Sequence, residues 1–165
     1  MTFTATYDSP LGPLLLASEG DALTGLWLPG QKHFAAGLEG DASEDGGAPA
    51  LRKAAEWLDA YFSGLRPEAT ALQLAPRGSE YQMLVWSLLR DIPYGETVTY
   101  GALAVGVEKR LGRRTSARAV GSAVGRNPIS VILPCHRVLG ANGSLTGYAG
   151  GLEKKQWLLR HEGAI

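Results

Sequence analysis

The first thirty residues alternate and break at regular intervals. TFTATY alternates polar and apolar side chains, DSPLG reads as a turn, PLLLAS is apolar, EGDA turns again and LTGLWL follows. This pattern predicts three short strands in a β-meander. Residues 37–49 (GLEGDASEDGGAP) show no periodicity and predict a polar, acidic, mobile loop. Over residues 50–62, Leu51, Ala55, Leu58 and Phe62 recur at i, i+4, i+7 and i+11, the stripe of an amphipathic helix that Ser63-Gly64 ends. A strand is expected near residues 71–74. Pro76-Arg77-Gly78 then reads as a joint between two domains, residues 1–76 and 79–165.

After the joint the period becomes helical. Ser79 with Gln82 three residues later is a capping-box start, and the helix it opens is expected to bury Tyr81, Leu84, Val85, Leu88 and Leu89 and to stop before Pro93. A second helix should begin near Thr99, and a third should run over residues 115–126, after the basic turn EKRLGRR. Asn127-Pro128 closes the third, because proline disfavours helical geometry in the residue before it. Two short helices joined by a turn outline a helix-turn-helix. A buried strand at 131–133 and a hairpin with Asn142-Gly143 at its tip would add a wing, and a final helix over 152–161 should end at Gly163. The four tryptophans, Trp27, Trp57, Trp86 and Trp157, read as core.

Charge separates the two parts. The chain has 165 residues and zero net charge, yet residues 1–78 carry a net −5 and residues 79–165 a net +5. Between residues 109 and 137 there are seven basic side chains (Lys109, Arg110, Arg113, Arg114, Arg118, Arg126, Arg137) and no acidic one. A run of this kind can neutralise phosphates and release counterions, the physical basis of nucleic-acid affinity. The third helix adds a second hint. Ala117, Ala119, Gly121, Ser122, Ala123 and Gly125 are all small, and a helical Gly costs about 1 kcal/mol relative to Ala. Such a smooth helix approaches either a neighbouring helix or the floor of a DNA groove closely, with Arg118 its one long cation. No apolar run approaches the ~20 residues of a membrane span, and the N-terminus lacks a secretory pattern. The expectation is a cytoplasmic protein with one free thiol.

That thiol, Cys135, lies in ISVILPCHRVLG, directly before His136 and Arg137. A lone cysteine is by default a buried, inert hydrophobe. Two neighbouring groups able to support a thiolate, and a basic surface within thirty residues, argue for a nucleophile. Successive side chains of an extended segment point apart, so proton transfer to His136 requires a tight turn or a bridging water.

At these residues the sequence resembles the O6-alkylguanine-DNA alkyltransferases, the methylated-DNA–protein-cysteine methyltransferases. IPYGETVTYGALA, ARAVGSAVGRNP, VILPCHRV, TGYAGGL and KKQWLLRHEG follow that family's order and approximate spacing, and DSPLGPLLLA is similar to its N-terminal start. The resemblance implies an α+β fold: a small N-terminal antiparallel sheet with a helix, ribonuclease H-like in the family, and a C-terminal winged helix-turn-helix domain. It implies a single-use methyltransferase that moves an alkyl group from O6-alkylguanine in DNA to Cys135 after nucleotide flipping, with O4-alkylthymine left open as a second substrate. By the same likeness His136 acts through a water as base and Glu162 holds it. Tyr100 rotates the target phosphate and donates toward the leaving guanine. Val138, Tyr148 and the Ala149 N–H line the base pocket, and Asn127 braces the turn bearing Cys135. Arg118 is the finger that fills the vacated stack, on a DNA-binding helix with Ala117, Gly121 and Arg126. No cofactor and no metal are implied, and the expected partner is double-stranded DNA carrying O6-alkylguanine, met by a monomer away from any membrane.

Some features depart from the family's pattern. Tyr100 and Arg118 are eighteen residues apart, about one helical turn more than expected. Ala149 stands where some relatives carry serine. The cysteines of some relatives' zinc site are absent, so His33 is not expected to be a ligand. Two other readings of the residues stay open: a cysteine hydrolase using Cys135 and His136, and a winged-helix protein that binds lesions without reacting.

Overall fold

The meander forms where alternation predicts it. In the computed structural model, which describes residues 1–38 and 42–165, β1 (Thr2–Ser9), β2 (Gly12–Glu19) and β3 (Ala22–Trp27) pair antiparallel in sequence order. Two-residue loops join them, the second led by Gly20 at φ +55°, the left-handed conformation that glycine adopts without penalty. β4 (Ser43–Glu44) lies parallel to β1 and completes the order β3-β2-β1-β4. It forms inside the segment expected to be a loop; residues 39–41 of that segment lie outside the described residues.

Helix α1 (Pro49–Phe62) covers this sheet. Proline at its first position needs no hydrogen-bond acceptor there, and the buried stripe is Leu51, Ala54, Trp57, Leu58 and Tyr61. The stripe is shifted from the expected one, since Ala55 and Phe62 are only half-buried; the rings of Trp57 and Tyr61 stack at 5.5 Å and take the inner face. The strand expected at 71–74 is instead a 3-10 turn, Ala69–Ala71, followed by one bridge between Leu74 and Leu23.

The chain divides into two units. The first comprises Met1–Arg77 with Pro128–Ser130, the second Gly78–Asn127 with Val131–Ile165. Within the first, Leu26 N–H donates to Pro128 O at 2.8 Å and Ser130 N–H donates to Leu26 O at 3.0 Å, so the short later segment is stitched to β3.

The second unit is mainly helical. Helix α2 (Glu80–Arg90) opens with the expected capping box: the Ser79 hydroxyl accepts from Gln82 N–H, and Ser79 N–H donates to the Gln82 side chain. Its fully buried residues are Val85, Trp86 and Leu89; Tyr81, Leu84 and Leu88 are half-buried, because the Trp86 indole takes the centre and donates to Ala123 O at 2.8 Å. β5 (Val98–Thr99) leads into α3 (Tyr100–Leu111), capped by the Thr99 hydroxyl. α4 (Ala117–Gly125) is capped by Ser116. α3 is longer than expected, since Glu108, Lys109, Arg110 and Leu111 continue the helix until Gly112 at φ +72° ends it. The turn at Asn142-Gly143 forms, with Gly140 N–H donating to Ser144 O at 2.9 Å. Its arms do not pair as a hairpin; β6 (Val138–Leu139) instead pairs parallel with β5. α5 (Leu152–His161) closes the unit. The architecture is α+β.

Candidate active site and nucleic-acid interface

The thiol is carried by a bend rather than a strand. Residues 131–133 form a buried turn, and Cys135 opens the 3-10 turn Cys135–Arg137. An apolar run without alternation suits a packed turn as well as a buried strand, which is why the expected strand does not appear. Asn127 closes the bend: its Nδ2 donates to Leu133 O at 2.8 Å, and Cys135 N–H donates to the same carbonyl at 2.8 Å. Between them Val131 has φ +71°, a strained conformation for a β-branched residue. The bend therefore holds Cys135 in one place at some conformational cost.

Cys135 is 5% exposed. Burial pushes its thiol up, while the Asn127 side chain, the Lys155 ammonium and Tyr148 draw it back down. At neutral pH the sulfur keeps its proton until a base removes it. The next residue in the sequence carries an imidazole. His136 is fully buried and its Nε2 lies 2.6 Å from Glu162 Oε2. The same carboxylate accepts from Arg137 Nε at 2.7 Å and Nη2 at 3.1 Å, and from Gly95 N–H at 3.3 Å. Held by His136 and Arg137, the Glu162 carboxyl lies well below its ordinary range despite burial. An ionised carboxylate only accepts, so Nε2 carries the imidazole hydrogen. Burial, with help from Arg137 and Lys155, lowers the His136 pKa. The ring is thus neutral, with a bare Nδ1 that is buried and has no hydrogen-bond partner. That is a proton acceptor in waiting.

Local sequence fixes the carboxylate. Glu162 is the cap residue at the C-terminus of α5, Gly163 follows at φ +74°, and Gly163 N–H and Ala164 N–H donate to Arg160 O and Leu159 O. This is a Schellman ending, and it aims Glu162 inward. The 93–96 turn, closed by Glu96 N–H donating to Pro93 O, brings Gly95 to the carboxylate and sets Tyr94 5.6 Å from the Arg137 guanidinium.

Two participants take parts that the sequence did not assign them. Arg137, expected among the phosphate-facing cations or as a support for the thiolate, is buried and spends its guanidinium on Glu162 and on Ile92 O at 2.6 Å. Lys155 is fully buried; its Nζ donates to Val138 O at 2.6 Å and to Thr146 O at 2.9 Å, and burial lowers its pKa to about 8. A signal for Lys155 exists: Lys155, Leu158, Leu159 and Glu162 fall at i, i+3, i+4 and i+7, one face of α5. Trp157, expected in the core, is half-buried and stacks on His161 at 4.9 Å.

The expected pocket residues converge on the same place. Tyr100, half-buried at the start of α3, donates its hydroxyl to Gly147 O at 2.9 Å, and burial raises its pKa to about 12. The Tyr148 hydroxyl is buried without a well-formed hydrogen bond; burial raises its pKa well above the ordinary value, and the Cys135 thiol adds to the rise. Ala149 is half-buried, and its N–H has no acceptor among the described residues. Val138 O already accepts from Lys155; a carbonyl retains a second lone pair.

On α4, Val120, Ala123 and Val124 face inward, while Ala117, Arg118, Ser122 and the capping Arg126 are exposed and Gly121 and Gly125 are half-exposed. A Cβ at Gly125 would meet nothing within 4 Å, and one at Gly121 only the Tyr100 ring at 3.7 Å, an ordinary contact. The chain's own packing therefore does not demand these glycines. Nor does helix stability explain Arg118, a cation in the first turn where the helix dipole disfavours it. Among the described residues no three His, Cys, Asp or Glu side chains converge as a metal would need, and no helix is long and apolar enough to cross a membrane.

Fold and site together define an α+β protein whose helix-turn-helix unit holds a single buried thiol, followed in the sequence by an imidazole paired with a buried carboxylate. Residues 80–164 match the family "6-O-methylguanine DNA methyltransferase, DNA binding domain", and residues 2–76 match "6-O-methylguanine DNA methyltransferase, ribonuclease-like domain". The methylated-DNA–protein-cysteine methyltransferase of Methanosarcina acetivorans is 44% identical over 98% of this chain and 99% of its own length. That of Mycobacterium leprae is 45% identical over 98% and 93%. The crystal structure of Mycobacterium tuberculosis OGT in complex with DNA superposes with a TM-score of 0.84 at 43% identity, covering 99% of this chain and 92% of the other. The chain belongs to the methylated-DNA–protein-cysteine methyltransferase family.

Proposed function

We propose that this chain repairs alkylated DNA by taking the alkyl group from guanine O6 onto Cys135, once per molecule. The observation that carries this reading is the locked, neutral His136 with its bare Nδ1 beside a buried thiol, on the unit that also bears the α4 face. The thiol proton passes to Nδ1 through a water, and the Glu162 carboxylate, itself held by Arg137, stabilises the imidazolium that results. Sulfur attacks the alkyl carbon in line; the S–C bond forms as the C–O6 bond breaks. The electron pair leaves on the guanine, where the Tyr100 hydroxyl, once released from Gly147 O, donates to it. The Ala149 N–H and the second lone pair of Val138 O suit the edge of a purine, with Tyr148 against its face.

O6 cannot be approached in line within a stacked pair, so the nucleotide must leave the duplex. A smooth α4 face that the fold itself does not require suits close approach to a groove floor, with Ala117, Gly121 and Arg126 against the backbone. Arg118 then fills the vacated stack. Water does not cleave the resulting thioether, and the sequence holds no second thiol to regenerate Cys135. Residues 79–165 bind and react, whereas residues 1–76, which hold none of these groups, support them. A free thiol suits a reducing compartment such as the cytoplasm, and one thiol acting on one base requires only a monomer.

Intact mass after mixing with duplex carrying O6-methylguanine tests this directly. One methyl addition is expected, located on Cys135 and lost in Cys135→Ala. Tight lesion binding with an unmodified thiol, or repeated ester cleavage, would overturn it.

A further inference from the structure

Eighteen residues separate Tyr100 from Arg118, and the structure shows what the stretch between them carries. Lys109 and Arg110 occupy the last turn of α3, while Arg113 and Arg114 lie beyond its end at Gly112; all four are exposed. None of them has an ion-pair or hydrogen-bond partner among the described residues. The nearest acid in sequence, Glu108, is already engaged, its Oε1 accepting from Thr115 N–H at 3.0 Å. A helix C-terminus favours nearby cations, which accounts for Lys109 and Arg110. It does not account for Arg113 and Arg114 outside the helix, and four uncompensated like charges repel one another.

The segment bearing them is also fixed. Besides the Glu108–Thr115 bond, the Thr115 hydroxyl lies 2.7 Å from the Tyr81 hydroxyl of α2, and Gly112 N–H donates to Glu108 O at 2.9 Å. The turn runs directly into the Ser116 cap of α4, so Arg113 and Arg114 come just before the exposed residues Ala117 and Arg118 along the chain. Cations on a fixed backbone, running on into such a face, match the regular phosphates of a duplex better than an adaptable acidic peptide or a single-stranded RNA.

We propose that the 109–114 segment is a second phosphate-contact surface that grips the backbone of duplex DNA alongside α4 and extends the footprint beyond the damaged nucleotide. This rests on the DNA-repair reading above, but it concerns residues that the transfer reaction does not use. Its signature is counterion release. Each phosphate contact contributes about 0.9 to the slope of log K against log salt, so the four together contribute up to ~3.6.

The test is anisotropy of the full chain on a lesion-free duplex of about 30 base pairs across a salt series. Neutralising the four side chains (K109Q, R110Q, R113Q and R114Q together) should flatten the slope by roughly that amount, and replacing the three arginines by lysine should retain it. Circular dichroism checks folding. Should the fourfold variant unfold, the R113Q/R114Q pair, outside the helix, should still lower the slope by up to ~1.8. An unchanged slope in the folded variant overturns the proposal, as does a loss confined to single-stranded RNA of the same length. Methyl transfer by the unaltered protein separates the two readings. A flattened slope with no transfer would sink the repair function and leave the surface standing; transfer with an unaltered slope would do the reverse.

Discussion

His136 and Glu162 show how a buried pair can hold a base ready without charging it. The carboxylate fixes the proton on Nε2, the Arg137 guanidinium shares the carboxylate, and burial keeps the ring neutral. The rate of methyl transfer should therefore stay level from neutral pH down through 6.5, the ordinary imidazole value, and fall only in more acidic solution. Single-turnover rates across pH check this; an acid limb centred above 6.5 would mean that the imidazole is easily protonated and the assignment wrong. Replacing Arg137 by Ala should be costly in another way. A buried carboxylate would lose its bidentate partner, a change of about 3–5 kcal/mol, measurable as a lower urea midpoint.

At the level of elements, the ends of helices do most of the positioning. Thr99 places Tyr100 at the start of α3, Ser116 places Arg118 at the start of α4, and the Schellman ending of α5 places Glu162. Gly163→Ala would force a side chain into φ +74°, at a cost of about 1–2 kcal/mol. The variant should melt earlier and transfer methyl more slowly, as the carboxylate loses its fixed position; unchanged kinetics in a destabilised protein would show that the cap serves stability alone. These ends were legible in the sequence because caps are local: Ser79 with Gln82, the Thr before Tyr100 and the Gly after Glu162 announce themselves within four residues. The pairing of Val98 with Val138 was not legible, since forty residues separate the partners and each strand has only two. The bend at 131–135 was hidden for a different reason: VIL is equally apolar in a strand or a packed turn. Cys135 and His136 stood out by chemistry and by family resemblance, whereas Arg137, read as a cation for phosphate or thiolate, showed its tie to Glu162 only when its partners were seen.

Across the whole molecule, the same buried pair links folding to acidity. His136 is held below 6.5 and Glu162 well below 4.5 in the folded chain. An unfolded chain takes up the imidazole proton first, as pH falls past 6.5, and the carboxyl proton next, past 4.5. Both groups therefore add stability above those values and lose it as acid is added. Urea midpoints measured against pH should decline below 6.5 and more steeply below 4.5. Glu162→Gln should lie lower at neutral pH, with the gap narrowing in acid; a gap of constant size would refute the linkage. The charge asymmetry between the halves was plain in the sequence, but which cations face outward was settled only when Arg137 and Lys155 turned inward.

Cys135 is all but closed off from solvent, on a bend that Asn127 holds. A methyl group left on that sulfur cannot be hydrated away or ejected; it must be housed, and the Asn127 and Tyr148 side chains that favour a thiolate there gain nothing from a thioether. Crowding a packed interior by one carbon typically costs about 1–3 kcal/mol, and here it falls on a bend whose Val131 is strained from the outset. A molecule that has reacted is thus a looser object than one that has not, and its spent condition is written into its folding.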